Sequence, residues 1–397
     1  MHIQRVFGAT IADMTLRLRT ISAGAAATSV ALLLHGCGGG GPANTLPSNI
    51  TTLPGYVQTS LVSDQVGLGQ ILDANLISPW GIIYSPTGNW VVPNAANGTA
   101  TVYTGGVPNG TIAAANQNFK IPFGGATGAA FNPSTDFKIT NGAVTAPSTF
   151  IVVSVAGWIC GWNATVSSSV AIAATTITNA IYTGVAVGNN LAGNFIFATD
   201  FSNGTIDVFD KDFALVTLTA GLKDPTIPPA FHPFGIQNIG GKLYVTYAKY
   251  DPSGQTDVPA PGNGYVDVYD TSGNLLSQLV AGGNLNSPIG VAVAPATFKA
   301  AANMLLVANY GDGMINVYDP KTGAYIGSLS IDNQTPISIP GLRCLMFGNG
   351  ASAGAVGSLY YTAGPRSQPH GQLGRIDPPA SSRSRRRLSL ASLFLCR

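Results

Sequence analysis

This sequence predicts an all-β fold: a six-bladed β-propeller whose ring is closed by an N-terminal strand completing the last blade. Three observations lead there. Of 397 residues, 49 are Gly and 26 Pro, while 45% are hydrophobic and only 9% charged. Disordered chains are charge-rich and apolar-poor, and coiled coils need Glu, Lys and Leu in quantity, so neither class fits. A small-x-Gly segment leading into an apolar alternation then recurs six times. Finally, short apolar runs separated by polar turns follow each recurrence.

The six leading segments are SPWGIIY (78–84), ATGAAF (126–131), YTGVAV (182–187), HPFGIQ (232–237), SPIGVAV (287–293) and PGLRCLMF (340–347). Their key glycines are Gly81, Gly128, Gly184, Gly235, Gly290 and Gly341, spaced by 47, 56, 51, 55 and 51 residues. A second apolar run follows each, such as TFIVVS (149–154) and MLLVANY (304–310). A third comes after most, such as GTIDVFD (204–210), GYVDVYD (264–270) and GMINVYD (313–319). A fourth is seen in LLSQLV (275–280) and YIGSLS (325–330). Alternation with a period of two predicts antiparallel strands. One small sheet cannot bury both its faces, but radial stacking of four-stranded blades can. The sixth unit is one strand short. YVQTSLVSD (56–64) is a strand without a blade, so it is expected to close the ring and remove an open edge.

Four regions are expected. Residues 1–36 read as a lipoprotein-type signal peptide, 37–55 as a flexible tether, 56–377 as the propeller, and 378–397 as a basic, disordered tail. Arg17 and Arg19 precede a charge-free run at 21–34, too short to span a membrane. Leu34-His35-Gly36-Cys37 follows, which resembles a bacterial lipoprotein signal with Cys37 as the lipidated residue. An ordinary signal peptide cut nearby is the alternative, and Met14 is a second candidate start. The expected address is export, to an outer membrane or to the periplasm or extracellular space, with membrane attachment through the lipid alone. The tail, which matches nothing in the repeats, is read either as a basic interaction arm or, the reading adopted, as a frame-shifted read past the natural end.

The formal charge of +2 hides this division. The leader carries +2 and the tail +5, leaving the body at −5. Such a body offers no electrostatic footprint for nucleic acid. Cys160 and Cys344 fall in repeats that are not neighbours and are expected to be buried free thiols. The C-x-x-C, H-E-x-x-H and P-loop patterns are absent, and no serine nucleophile elbow is expected.

The repeats resemble NHL-type propeller repeats. They are more similar still to a family of uncharacterised, exported, six-bladed bacterial propellers. NLISPWGI (75–82), FSNGTIDVFD (201–210), HPFGI (232–236), NYGDGMINVYD (309–319) and GLRCLMFGNG (341–350) carry that resemblance, which spans about 57–377. It implies the fold and no activity. Arg343-Cys344 departs from its usual aromatic and small residue, and Gln368-Pro369 from a usual acid.

A propeller gathers chemistry on the face where inner strands begin and second strands turn into third ones. That places Trp80, Asn94, Asp200, His232, Phe234, Tyr247, Asn309 and His370 on a candidate ligand face, with Arg366 nearby. Trp158 and Trp162 lie at the corresponding turn of blade two. Asn94, Asp200 and Asn309 could offer oxygens to Ca²⁺, with His232 as base, as in gluconolactonase-like propellers. They could equally be turn residues that hydrogen-bond their own backbone. The reading adopted is a non-catalytic binding module for an envelope or extracellular protein, peptide or glycan, without a cofactor. A metal-dependent hydrolase or lyase is the alternative.

Overall fold

The computed structural model describes residues 50–106, 110–365 and 369–380. The expected signal peptide, Cys37, Arg366 and the tail from 381 onward lie outside the described residues. The architecture is a six-bladed β-propeller, and the one helical element described is a 3-10 turn at Lys299–Ala301. Blade three shows the unit most plainly. Tyr182–Asn190, Gly193–Asp200, Thr205–Phe209 and Leu215–Val216 form an antiparallel sheet in chain order, with the first strand innermost. Blade two is built from Ala126–Phe131, Phe150–Ser154, Trp158–Trp162 and Ile172–Thr176. Blade four uses Phe231–Ile239, Lys242–Asp251, Tyr265–Asp270 and Leu275–Ala281, and blade five Pro288–Val293, Leu305–Asn309, Ile315–Tyr318 and Tyr325–Leu329.

Closure is as the sequence predicts. Blade six contributes Leu342–Phe347, Leu359–Ala363 and Gln372–Asp377, and Val57–Ser63 pairs antiparallel with the last of these. Blade one is the least regular. Its inner strand is reduced to the bridges Pro79↔Asn94 and Ile83↔Val91.

Two features depart from expectation. The tether assigned to 37–55 ends earlier. Thr52–Leu53 pairs in parallel with Ser328 and Leu329 of blade five, and the Gly55 amide donates to the Ile331 carbonyl at 3.1 Å. The backbone groups of this segment are satisfied by an edge that would otherwise be open. Blade two also carries an extra hairpin, Lys138–Asn141 with Val144–Pro147. Gly142-Ala143 was its signal, since a glycine at the first central position makes a two-residue hairpin turn; Gly142 has φ 60°, and Asn141 pairs with Val144 across it.

The core lies between blades. The second strands Phe150–Ser154, Leu305–Asn309 and Leu359–Ala363 are buried at every residue. Both faces of each blade meet a neighbour, so these central strands read as continuous apolar runs. Trp90, Tyr103, Phe197, Tyr269, Tyr318 and Tyr360 fill the wedge-shaped gaps.

Candidate functional site

Around the axis the blades approach through their inner strands. Five of the six present a residue followed by glycine: Trp80-Gly81, Thr127-Gly128, Thr183-Gly184, Phe234-Gly235 and Ile289-Gly290. A Cβ on Gly128 would lie 2.7 Å from the Val185 nitrogen, and one on Gly290 2.4 Å from the Arg343 carbonyl oxygen. In blade six the matching pair is Arg343-Cys344, not Gly341. Gly341 sits at φ +68° against the Gly364 carbonyl, while the strand's register places Cys344 opposite Thr362, as Gly235 lies opposite Thr246. Threonine hydroxyls tie neighbouring blades here. Thr127 donates to the Tyr182 carbonyl (2.7 Å), Thr246 to Ile289 (3.1 Å) and Thr362 to Trp80 (2.7 Å). The axial cavity these residues enclose has a volume of about 40 Å³.

Trp80 and Phe234, expected on the ligand face, instead plug the mouth of this channel. Both are buried, edge to face at 6.4 Å, and Phe201, Ile289 and Tyr310 complete the cluster. The Trp80 indole Nε1 donates to the Thr183 carbonyl at 2.8 Å. Arg343 lies over Trp80 at 4.8 Å and Tyr310 at 5.6 Å from the ring centroids.

Asn94, Asp200 and Asn309 end the second strands of three different blades and are engaged within them. Asp200 Oδ1 accepts from the Ile181 amide (3.1 Å), the Ser202 hydroxyl (2.8 Å) and the Asn203 amide (3.2 Å), and Oδ2 from Asn203 Nδ2 (2.6 Å). Asn309 accepts from the Asn286 amide and donates to the Asn284 carbonyl. Asn94 donates to the Thr99 and Thr101 hydroxyls. For Asp200 and Asn309 this is the turn-residue behaviour of Asx side chains, here also fastening the segment that leads into the inner strand, while the Asn94 Oδ1 is buried without a partner. Among the described residues no group of three or more His, Cys, Asp or Glu could hold a metal ion.

Tyr247 is not on the face. The hairpin inserted after blade four's second strand extends that strand to Asp251, and alternation turns Tyr247 into the core between blades three and four. Its hydroxyl meets Tyr269 at 2.8 Å, and Tyr269 donates to Asp267 at 2.9 Å. Burial, only partly opposed by the Tyr269 hydrogen bond, pushes the Asp267 carboxyl up to about 7. Folding therefore favours its protonated form. That stability is fully present below the unfolded carboxyl's range and is lost as pH rises through about 7, a total on the order of 4 kcal/mol. Asp267→Asn is expected to match the wild type at pH 4 and exceed it at pH 8 in urea unfolding. Parallel loss of stability in both proteins would refute a protonated Asp267.

His232 stacks on Tyr250 at 4.4 Å and 18°, and its Nδ1 is 2.6 Å from the Phe201 carbonyl. A carbonyl only accepts, so Nδ1 carries a proton, and in the neutral ring that leaves Nε2 as the acceptor. His370 pairs through Nδ1 with Asp64 Oδ2 at 2.8 Å, while Asp64 Oδ1 accepts from the Gly371 amide. Sequence reading missed Asp64 as this partner because 306 residues separate them and only ring closure brings them together.

Trp162 is buried and stacked between Phe119 and Phe150. Trp158 is half-buried and stacks at 4.0 Å on Phe123, which is 55% exposed and has φ +66°. A bulky residue with positive φ is a backbone outlier, and such strain concentrates at binding sites. Phe123 was not a predicted site residue; Phe-Gly-Gly before a leading segment was its only sequence mark.

Cys160 and Cys344 are free. Cys160 is buried, which raises its thiol to about 12, whereas Cys344 is only partly buried and lines the axial cavity. The run Gly350-Ala351-Ser352-Ala353-Gly354 matches the letters of a nucleophile elbow. It lies in a loop between two strands of blade six, with no helix after it, and the Ser352 carbonyl accepts from the Gly105 amide.

No family model matches the chain. Uncharacterized protein R648 of Acanthamoeba polyphaga mimivirus is 32% identical over 297 residues, 72% of this chain and 72% of that one. Uncharacterized protein L690 of the same virus is 32% identical over 296 residues, 72% of this chain and 77% of that one. Among solved structures, virginiamycin B lyase from Staphylococcus aureus superposes with a TM-score of 0.47 at 10% identity, covering 81% of this chain and 99% of that one. A putative gluconolactonase gives 0.42 at 14% identity, covering 69% and 97%. Likeness at this level carries no argument about activity. The relatives are viral, so the propeller stands while the expected bacterial, NHL-type family is unsupported. By sequence, the chain belongs to the family that includes the mimivirus proteins R648 and L690.

Proposed function

We propose that the protein is a non-catalytic binding module that holds a protein, peptide or glycan on the face where its inner strands begin. The observation that carries this reading is the pair of stacked aromatic platforms on that face, Phe123–Trp158 between blades one and two and His232–Tyr250 in blade four. Between them blade three presents Ser202 and Asn203 at its turn. Flat, partly exposed rings beside polar groups suit a ligand that stacks and hydrogen-bonds. Of the oxygens that a metal-assisted hydrolase would need, those of Asp200 and Asn309 are taken by backbone amides, and Asn94, whose Oδ1 is buried without a partner, stands on a different blade from either. The leader motif ending in Cys37 supports export and lipid attachment as part of the same proposal.

The test is binding of the full chain to arrays of glycans and peptides. A hit is expected to weaken at least tenfold in Phe123→Ala and in His232→Ala, with circular dichroism unchanged. Each removes a platform worth about 1.5 kcal/mol or more. Binding untouched by both substitutions would place the ligand elsewhere and defeat the reading.

A further inference from the structure

Arg343 is 4% exposed and stands at the axial position that glycine's neighbour occupies in the other blades. All 17 acidic residues of the chain are aspartates. Among the described residues the ion pairs are Lys211–Asp212, His370–Asp64 and Arg375–Asp377, and none includes Arg343. Its one hydrogen bond runs from Nη1 to the Pro79 carbonyl at 2.8 Å, and its Nε is buried without a partner. Arg375, the other buried arginine, shows the contrast: its Nε donates to Asp377 and its Nη1 to the Gly106 carbonyl. A buried charge without a counter-charge is costly, and proteins pair such groups or bind an ion to them.

The surroundings define what could pair with it. Trp80 and Tyr310 lie against the guanidinium and the Pro79 carbonyl takes Nη1, which leaves the edge that carries Nε without a partner. That edge matches the two oxygens of a carboxylate, which arginine binds in a fork. The adjoining cavity, lined by Gly81, Gly184, Gly235, Gly290 and Cys344, has about 40 Å³. One water needs about 10–15 Å³ on this measure, so the space fits a group of carboxylate size.

We propose that Arg343 is the receptor of an axial carboxylate site, which takes a small carboxylate or the carboxylate end of a larger ligand. This site is separate from the aromatic platforms and does not depend on their role. The probe is acetate, titrated into ¹⁵N-labelled full chain against chloride at equal ionic strength and pH, reading arginine Nε–H resonances. The Arg343 resonance, identified by its loss in Arg343→Lys, is expected to shift saturably with acetate alone. Arg343→Lys keeps the charge but lacks the fork, and its acetate affinity, read from the thermal midpoint, should fall at least tenfold. Phe123→Ala should bind acetate as the wild type does, whatever its effect on array ligands. If Arg343→Lys does not fold, the resonance is assigned through backbone correlations in the wild type and the wild-type titration decides. No saturable shift, an equal response to chloride, or undiminished acetate binding by a folded Arg343→Lys protein would overturn the proposal.

Discussion

Removing residues 1–63 is expected to abolish cooperative folding rather than merely lower stability. The lost strand Val57–Ser63 pairs along its length with Gln372–Asp377 and supplies blade six with its fourth strand. Tyr56, Leu61 and Val62 are buried, and the Tyr56 hydroxyl donates to the Phe298 carbonyl at 2.9 Å. Full burial of three such side chains contributes about 6 kcal/mol, an upper figure that is comparable with the whole stability of many domains. The exposed edge of Gln372–Asp377 would also template aggregation. Urea unfolding followed by tryptophan fluorescence checks this, with a broad or absent transition expected. A peptide spanning 50–63, added in trans, should sharpen the transition again. A sharp transition at the wild-type midpoint without the peptide would show that the ring closes by other means.

Gly235→Ala is expected to cost about 3 kcal/mol or more, a large effect for a single methyl group. The new Cβ would lie 2.0 Å from the Ile289 carbonyl oxygen and 2.8 Å from the Thr246 hydroxyl. That hydroxyl accepts from the Gly235 amide and donates to the Ile289 carbonyl, so relief by movement breaks the tie between blades four and five. The obstacle is backbone, which cannot rotate away as a side-chain end can. Gly240→Ala is the control: it has positive φ (61°) but open space around it, so only the modest backbone penalty applies. Equal midpoints for the two variants would show that the axis is not close-packed at Gly235.

The closing strand was legible for a physical reason. A propeller buries each sheet on both faces, so every strand must carry its own apolar pattern, and YVQTSLVSD kept that pattern without a local partner. The second strands were legible as continuous apolar runs on the same grounds. Asp200 was legible as a turn residue because most of its bonds reach two or three residues along the chain, to Ser202 and Asn203, whereas Asn309 also ties the loop 23 and 25 residues before it, which no local pattern reveals. Tyr247 was misplaced because it ends an apolar run whose strand continues through a hairpin insertion, and the four further strand residues to Asp251 reverse no alternation but move the turn away. Gly341 was misplaced because the inner strands bulge just before the axial position, so the nearest glycine in the sequence is not the nearest to the axis.

By itself, then, the sequence determined the class of fold, the number of blades, their order and the strand that joins the ends. All of these follow from repeated local patterns of burial and turning. Only the tertiary structure decided which side chains meet. The Asp64–His370 pair, the Phe123–Trp158 stack and the contact of the Arg343 guanidinium with Trp80 each join residues from different blades or from opposite ends of the chain. Such contacts depend on bulges, register and ring closure, which displace a side chain by several ångströms without altering the periodicity that sequence reading detects.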